Sequence, residues 1–145
     1  MYRKILLAHD GTHFVAPALR QAEELARHCG AELHLLGVVV INTATAIAEG
    51  FGGGSDAWGY EQSALEQSLN DAAQALRDKG LTVGISIRLG NPGAEIANAA
   101  HELKADLVVI GHSGKGVLGR LFQGSVGAEL LSNLPCSLLI ATHGA

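Results

Sequence analysis

Gly111-His112-Ser113-Gly114 is followed, after nine intervening residues, by Gly124-Ser125, which gives the form G-x2-G-x9-G-S. Glycine lets a backbone come close to an oxyanion and take up conformations closed to other residues, and free N–H groups at a helix start attract negative charge. The Ser125 hydroxyl can donate to the same anion, and Lys115 and Arg120 lie within the loop as counter-charges. Phosphate binding is the chemistry this segment fits. By spacing alone it fits a flexible loop before a helix equally well, because Gly116, Gly119 and Gly127 belong to a chain holding 19 glycines. It is not a Walker A loop, for no Gly-Lys-Ser/Thr follows a first strand, and it is not the G-x-G-x-x-G fingerprint.

A second group, His9, Asp10 and His13, combines imidazole and carboxylate, the ligand types of a divalent metal site. The sequence favours polar loop histidines over a metal held by the protein, with Asp10 either a ligand-contacting or a structural loop carboxylate. His112 and Ser113 are chain neighbours with no assignable orienting acid, so no nucleophilic triad is signalled, nor is a pair of catalytic carboxylates.

These residues need a frame. Apolar runs of strand length alternate with segments of helical period, the pattern of βαβ units around a parallel sheet. Strands are expected at Lys4 to His9, Glu32 to Val40, Thr82 to Leu89, Asp106 to Gly111 and Ser137 to Thr142. Helices are expected at Val15 to Cys29, Tyr60 to Lys79, Gly93 to Lys104 and Val126 to Asn133, with Leu65, Leu69, Ala72, Ala73 and Leu76 forming one apolar stripe. Gly30 and Gly80 are placed to close the first two helices, and Pro92 suits a first helical turn. Right-handed crossovers then give an α/β fold, a three-layer doubly wound sheet of five parallel strands with helices on both faces. Ligands of such sheets bind beyond the carboxyl ends of the strands, which gathers His9-Asp10-Gly11, the residues after Val40 and the segment after Gly111 around one crevice. Thr43 to Gly59 breaks the pattern, with Gly50, Gly52, Gly53, Gly54 and Gly59 around Phe51 and Trp58. It reads as a mobile surface loop: a flexible connector, a lid over the crevice or a partner-contact loop.

At 145 residues the chain fits one domain, since single cores run to roughly 100 to 200 residues. Its apolar runs fall short of the ~20 residues a spanning helix needs, and Met1-Tyr2-Arg3-Lys4 leads into a strand pattern rather than a signal peptide, so a cytoplasmic location is expected. Cys29 and Cys136 are far apart, form no CxxC pair and read as reduced, mostly buried thiols. With 14 acidic against 10 basic residues there is no global drive toward nucleic acid.

The sequence resembles the universal stress proteins over nearly its whole length. The resemblance rests on Lys4-Ile5-Leu6-Leu7-Ala8-His9-Asp10-Gly11-Thr12, Gly30-Ala31-Glu32-Leu33-His34-Leu35-Leu36 and Gly90-Asn91-Pro92. It continues through Ala105-Asp106-Leu107-Val108-Val109-Ile110-Gly111, the glycine motif and Pro135-Cys136-Ser137-Leu138-Leu139-Ile140. The glycine pattern implies an ATP-binding member, with Mg²⁺ accompanying the nucleotide. By position, Asp10 looks like the family's nucleotide-contacting carboxylate and Val38 like the residue whose backbone meets adenine. Ile110, Gly111, Gly114, Gly124, Ser125 and Val126 match the segments around ribose and phosphates. Two departures stand out: His9, where an apolar or small residue is more usual, and His112-Ser113, where many members have a small polar residue followed by His or Arg.

The expected function is a stress or regulatory module whose bound ATP changes conformation or partner choice, with weak ATPase activity at most. The alternatives are a dimeric interaction scaffold holding another adenine nucleotide or none, and an enzyme acting on a phosphorylated or adenylated substrate. A homodimer is expected through Ser137 to Thr142, an apolar strand that a doubly wound order leaves at a sheet edge.

Overall fold

Five apolar segments pair into one parallel sheet: β1 (Lys4–Ala8), β2 (Glu32–Val40), β3 (Val83–Gly90), β4 (Leu107–His112) and β5 (Ser137–Thr142), in the order β3-β2-β1-β4-β5. The computed structural model describes residues 1–40, 62–112 and 125–142. Four helices connect the strands: α1 (Ala16–Cys29) after a short 3-10 turn at His13–Val15, α2 (62–78), α3 (Pro92–Leu103) and α4 (Ser125–Asn133). The chain winds from β1 toward the β3 edge, then reverses to β4 and β5. Right-handed connections therefore put α1 and α2 on one face, and α3 and α4 on the other.

Two apolar layers result, one on each face. On the first, Ile5, Leu7, Leu33, Leu35 and Val109 meet Ala18, Ala22 and Ala26 of α1 and Leu65, Leu69, Ala73 and Leu76 of α2. On the second, Leu6, Ala8, Leu36, Val38, Val108 and Ile110 meet Ile96, Ala97 and Ala100 of α3 and Leu130 of α4. Neighbouring residues of one strand thus serve opposite layers, as the two-residue period of a strand requires. The alanines of α1 recur every fourth residue, so the buried stripe is one of small side chains.

Helix ends follow local chemistry. Gly30 closes α1 at φ 66°, a left-handed conformation that costs glycine little. Asn91 caps α3 by accepting the Ala94 amide on its side-chain oxygen, and Pro92 occupies the first turn, where a missing N–H goes unnoticed. Arg88 of β3 ion-pairs with Glu95 and Glu102, tying α3 to the strand.

Some boundaries differ from expectation by one residue. Thr82 to Leu89 becomes Val83–Gly90, and Asp106 to Gly111 becomes Leu107–His112, because Gly90 pairs with Val40 and His112 with Thr142. β1 stops at Ala8, with His9 bent into the turn that follows. The segment Thr43 to Gly59, with Phe51 and Trp58, lies outside the described residues. Cys29 and Cys136 are free and half-buried, rather than mostly buried.

Candidate functional site

β1 lies at the centre of the sheet, and the chain leaves its carboxyl end through His9-Asp10-Gly11-Thr12. His9 lies just past the ladder but is still tied to β2, its N–H donating to the Leu36 carbonyl at 2.8 Å. Its imidazole is 5% exposed, and Nδ1 accepts the Gly11 amide at 2.9 Å. Asp10 repeats the device one residue on: Oδ1 accepts the Thr12 amide at 3.0 Å and the Thr12 hydroxyl at 2.6 Å. Two side chains in succession thus satisfy backbone N–H groups two residues ahead, which fixes a turn of polar residues against an apolar sheet.

Beside this turn is a recess of about 180 Å³, lined by Asp10, Gly11, Val38, Val39, Ala64, Leu65 and Ser68. The carboxyl ends of β1 and β2 form its floor and α2 forms its wall. Val38 lines the recess from β2 and also belongs to the apolar layer beneath α3. Gly11, at φ 82°, permits the tight approach: a Cβ there would lie 3.2 Å from Leu65 Cδ1. A recess of that volume holds several waters and has room for a flat heterocycle.

The structure brings Asp10 and Val38 together. It puts Gly111 next to them in the sheet order, half-buried near the end of β4 and paired with Ala141 of β5. Ile110 is wholly buried between Ala8 and Ile140 and does not line the recess. Ser125 and Val126 open α4. Gly114, Lys115, Arg120 and Gly124 lie outside the described residues. Among the described residues no group of three His, Cys, Asp or Glu could hold a metal ion, and the His9, Asp10 and His13 cluster forms no such centre. His9 is buried rather than a polar loop residue, and His112 ends β4 rather than starting the loop.

Sequence reasoning missed the α2 wall. Ala64 and Ser68 flank Leu65, and Ser68 stands three residues after it, so the stripe that marks the buried face also marks which neighbours reach the sheet's carboxyl edge. Burial holds the His9 pKa below its ordinary 6.5, partly opposed by the Asp10 carboxylate.

An open, doubly wound parallel sheet with a recess at the carboxyl end of its central strand sets this chain among the α/β proteins whose ligands sit beyond the strand ends. The chain belongs to the universal stress protein family, whose sequence profile matches residues 1–142. A universal stress protein of Methanocaldococcus jannaschii is 28% identical over 145 residues, spanning 97% of this chain and 82% of the relative. The fold also matches a universal stress protein in complex with cAMP, with a TM-score of 0.70 at 20% identity, covering 99% of this chain and 98% of that one. A universal stress protein from Archaeoglobus fulgidus in complex with dAMP matches with a TM-score of 0.67 at 20% identity, covering 96% and 97%. Among the described residues no helix is long and apolar enough to cross a membrane.

Proposed function

We propose that this chain is a single-domain cytoplasmic module that binds ATP, with Mg²⁺ alongside the phosphates, and changes conformation or partner choice with its nucleotide state. Slow hydrolysis is the most it performs. The observation that carries this reading is the meeting of Asp10 and Val38 at one recess of about 180 Å³. Asp10 Oδ1 is held by Thr12, which orients the carboxylate and keeps Oδ2 for a sugar hydroxyl. From the recess the phosphates extend past Gly111 toward Gly114, Lys115 and Gly124. There the N–H groups of Ser125 and Val126 open α4 and favour an anion. The adenine nucleotides named for the two structural neighbours support the ligand class.

Calorimetric titration with MgATP tests this. Gly124→Glu puts a bulky carboxylate at the phosphates and abolishes binding. Ser125→Ala removes one hydrogen bond and weakens it by about 1 kcal/mol. If the wild type does not bind MgATP, or if a Gly124→Glu variant folded by circular dichroism binds as tightly, the ATP reading is wrong. A second reading, a dimeric scaffold holding another adenine nucleotide or none, then takes its place; the exposed side chains of the β5 edge favour it.

A further inference from the structure

His9 is the one buried polar or charged residue among the described residues, and ATP binding as read above does not use it. Its Nδ1 accepts a backbone N–H, which assigns the ring to the neutral form with its proton on Nε2. The Gly11 amide it accepts belongs to a residue lining the recess, and the residue between them is Asp10. We propose that His9 is a positioning residue that makes occupancy of the recess depend on pH: only its neutral imidazole accepts the Gly11 amide and so holds the turn that presents Asp10. The inference rests on the recess being the nucleoside end of the ATP site.

Protonation acts on this turn twice. A proton on Nδ1 sets donor against donor at Gly11, so the bond that closes the turn is lost. The imidazolium also attracts the adjoining Asp10 carboxylate, drawing it away from the ligand. Among the described residues Asp10 is the one charged group whose field acts on the ring, while burial opposes the charge. Among the described residues the elements around the turn add no further titratable group to the recess: β2 gives Val38 and Val39, and α2 gives Ala64, Leu65 and Ser68. Because the folded-state pKa lies below 6.5, neutral solution leaves the turn intact, and the loss comes on the acid side of that value. One coupled proton changes an affinity by at most about tenfold per pH unit.

The test is titration of the full chain with MgATP at about pH 7.5 and about pH 5, for wild type, His9→Asn and His9→Leu. Asparagine offers an uncharged acceptor to an amide two residues ahead and does not titrate; leucine offers none. Wild-type affinity is expected to fall between the two conditions, by no more than about tenfold per pH unit below 6.5. His9→Asn is expected to match wild type within about twofold at the higher pH and to lose that fall, and His9→Leu to bind weakly at both. Protonation of ATP itself is common to all three proteins and cancels in the ratio of variant to wild type. Equal pH dependence in wild type and His9→Asn overturns the inference and leaves the ATP reading standing, whereas wild type that binds at neither pH overturns the ATP reading. Nitrogen NMR of the unliganded wild type decides independently of any variant's folding. Nδ1 must be unprotonated at the higher pH, and the Gly11 amide must shift with the His9 midpoint; a protonated Nδ1, or an amide indifferent to His9, overturns the inference.

Discussion

At His34 the structure makes a charge costly. Its Nε2 lies 2.8 Å from Ser86 Oγ, and burial first, then the positive fields of Lys4 and Arg88, hold its pKa below 6.5. Since the same direction applies at His9, the unfolded chain takes up protons at both positions before the folded chain does. Stability is therefore full above 6.5, declines as pH falls through that value, and ceases to decline from this source once the folded-state values are passed. Urea unfolding at about pH 7.5 and about pH 5 should show a lower midpoint at the acid end. His34→Gln, which keeps a hydrogen bond to Ser86 without titrating, should narrow the gap. A gap of undiminished size would mean that His34 carries none of it. Asp106 adds a separate loss in stronger acid, because its exposed carboxylate accepts the Arg3 and Lys4 amides and is held below its ordinary 3.8. At this scale the sequence was legible for Asp10 and Val38, whose places at strand ends follow from the apolar runs before them. It was opaque for His9, because a lone histidine between an apolar run and an aspartate carries the marks of a loop. Burial of His9 depends on partners that composition does not display, the Gly11 amide above all.

Among the elements, α2 packs closely on β2 at Gly37. A Cβ there would lie 2.8 Å from Leu65 Cδ2 and 2.9 Å from Leu69 Cδ1. Both leucines are buried in the first layer, so their ends have little room to swing. Gly37→Ala is expected to destabilise the chain by about 1–3 kcal/mol, measured as a lowered urea midpoint at unchanged slope. A variant as stable as wild type would show that α2 lifts off the sheet freely. Leu65 also walls the recess, so the same contact fixes how far α2 stands from Asp10. The spans Glu32–Val40 and Ser137–Thr142 are legible to the residue because their apolar runs and their ladders coincide. Gly90 and His112 are not, since each looks like punctuation yet joins a ladder on the strength of backbone pairing alone. The stripe Leu65, Leu69, Ala73 and Leu76 is legible because helical period and burial agree.

For the molecule as a whole, the strand order leaves β5 at one edge of the sheet, with Ile140 37% exposed there and Leu131 of α4 57% exposed. An edge with apolar side chains invites a second copy, which supports the proposed homodimer. Light scattering at micromolar concentration is expected to give twice the chain mass, and Ile140→Pro, which removes a backbone donor from the edge, to shift the mass toward one chain. A wild-type monomer would dispose of the dimer. The same strand order governs how the molecule comes into being. β1 is made first and sits at the centre, yet its second neighbour, β4, arrives far later: Lys4 and Asp106, whose backbone and side-chain bonds join the two strands, are 102 residues apart. At ribosomal speeds of about 5–20 residues per second, some 5 to 20 seconds pass between their syntheses. Through that interval Ile5, Leu6 and Leu7 keep one bare edge, so the nascent chain is more open to chaperones and to mispairing than anything in the finished sheet.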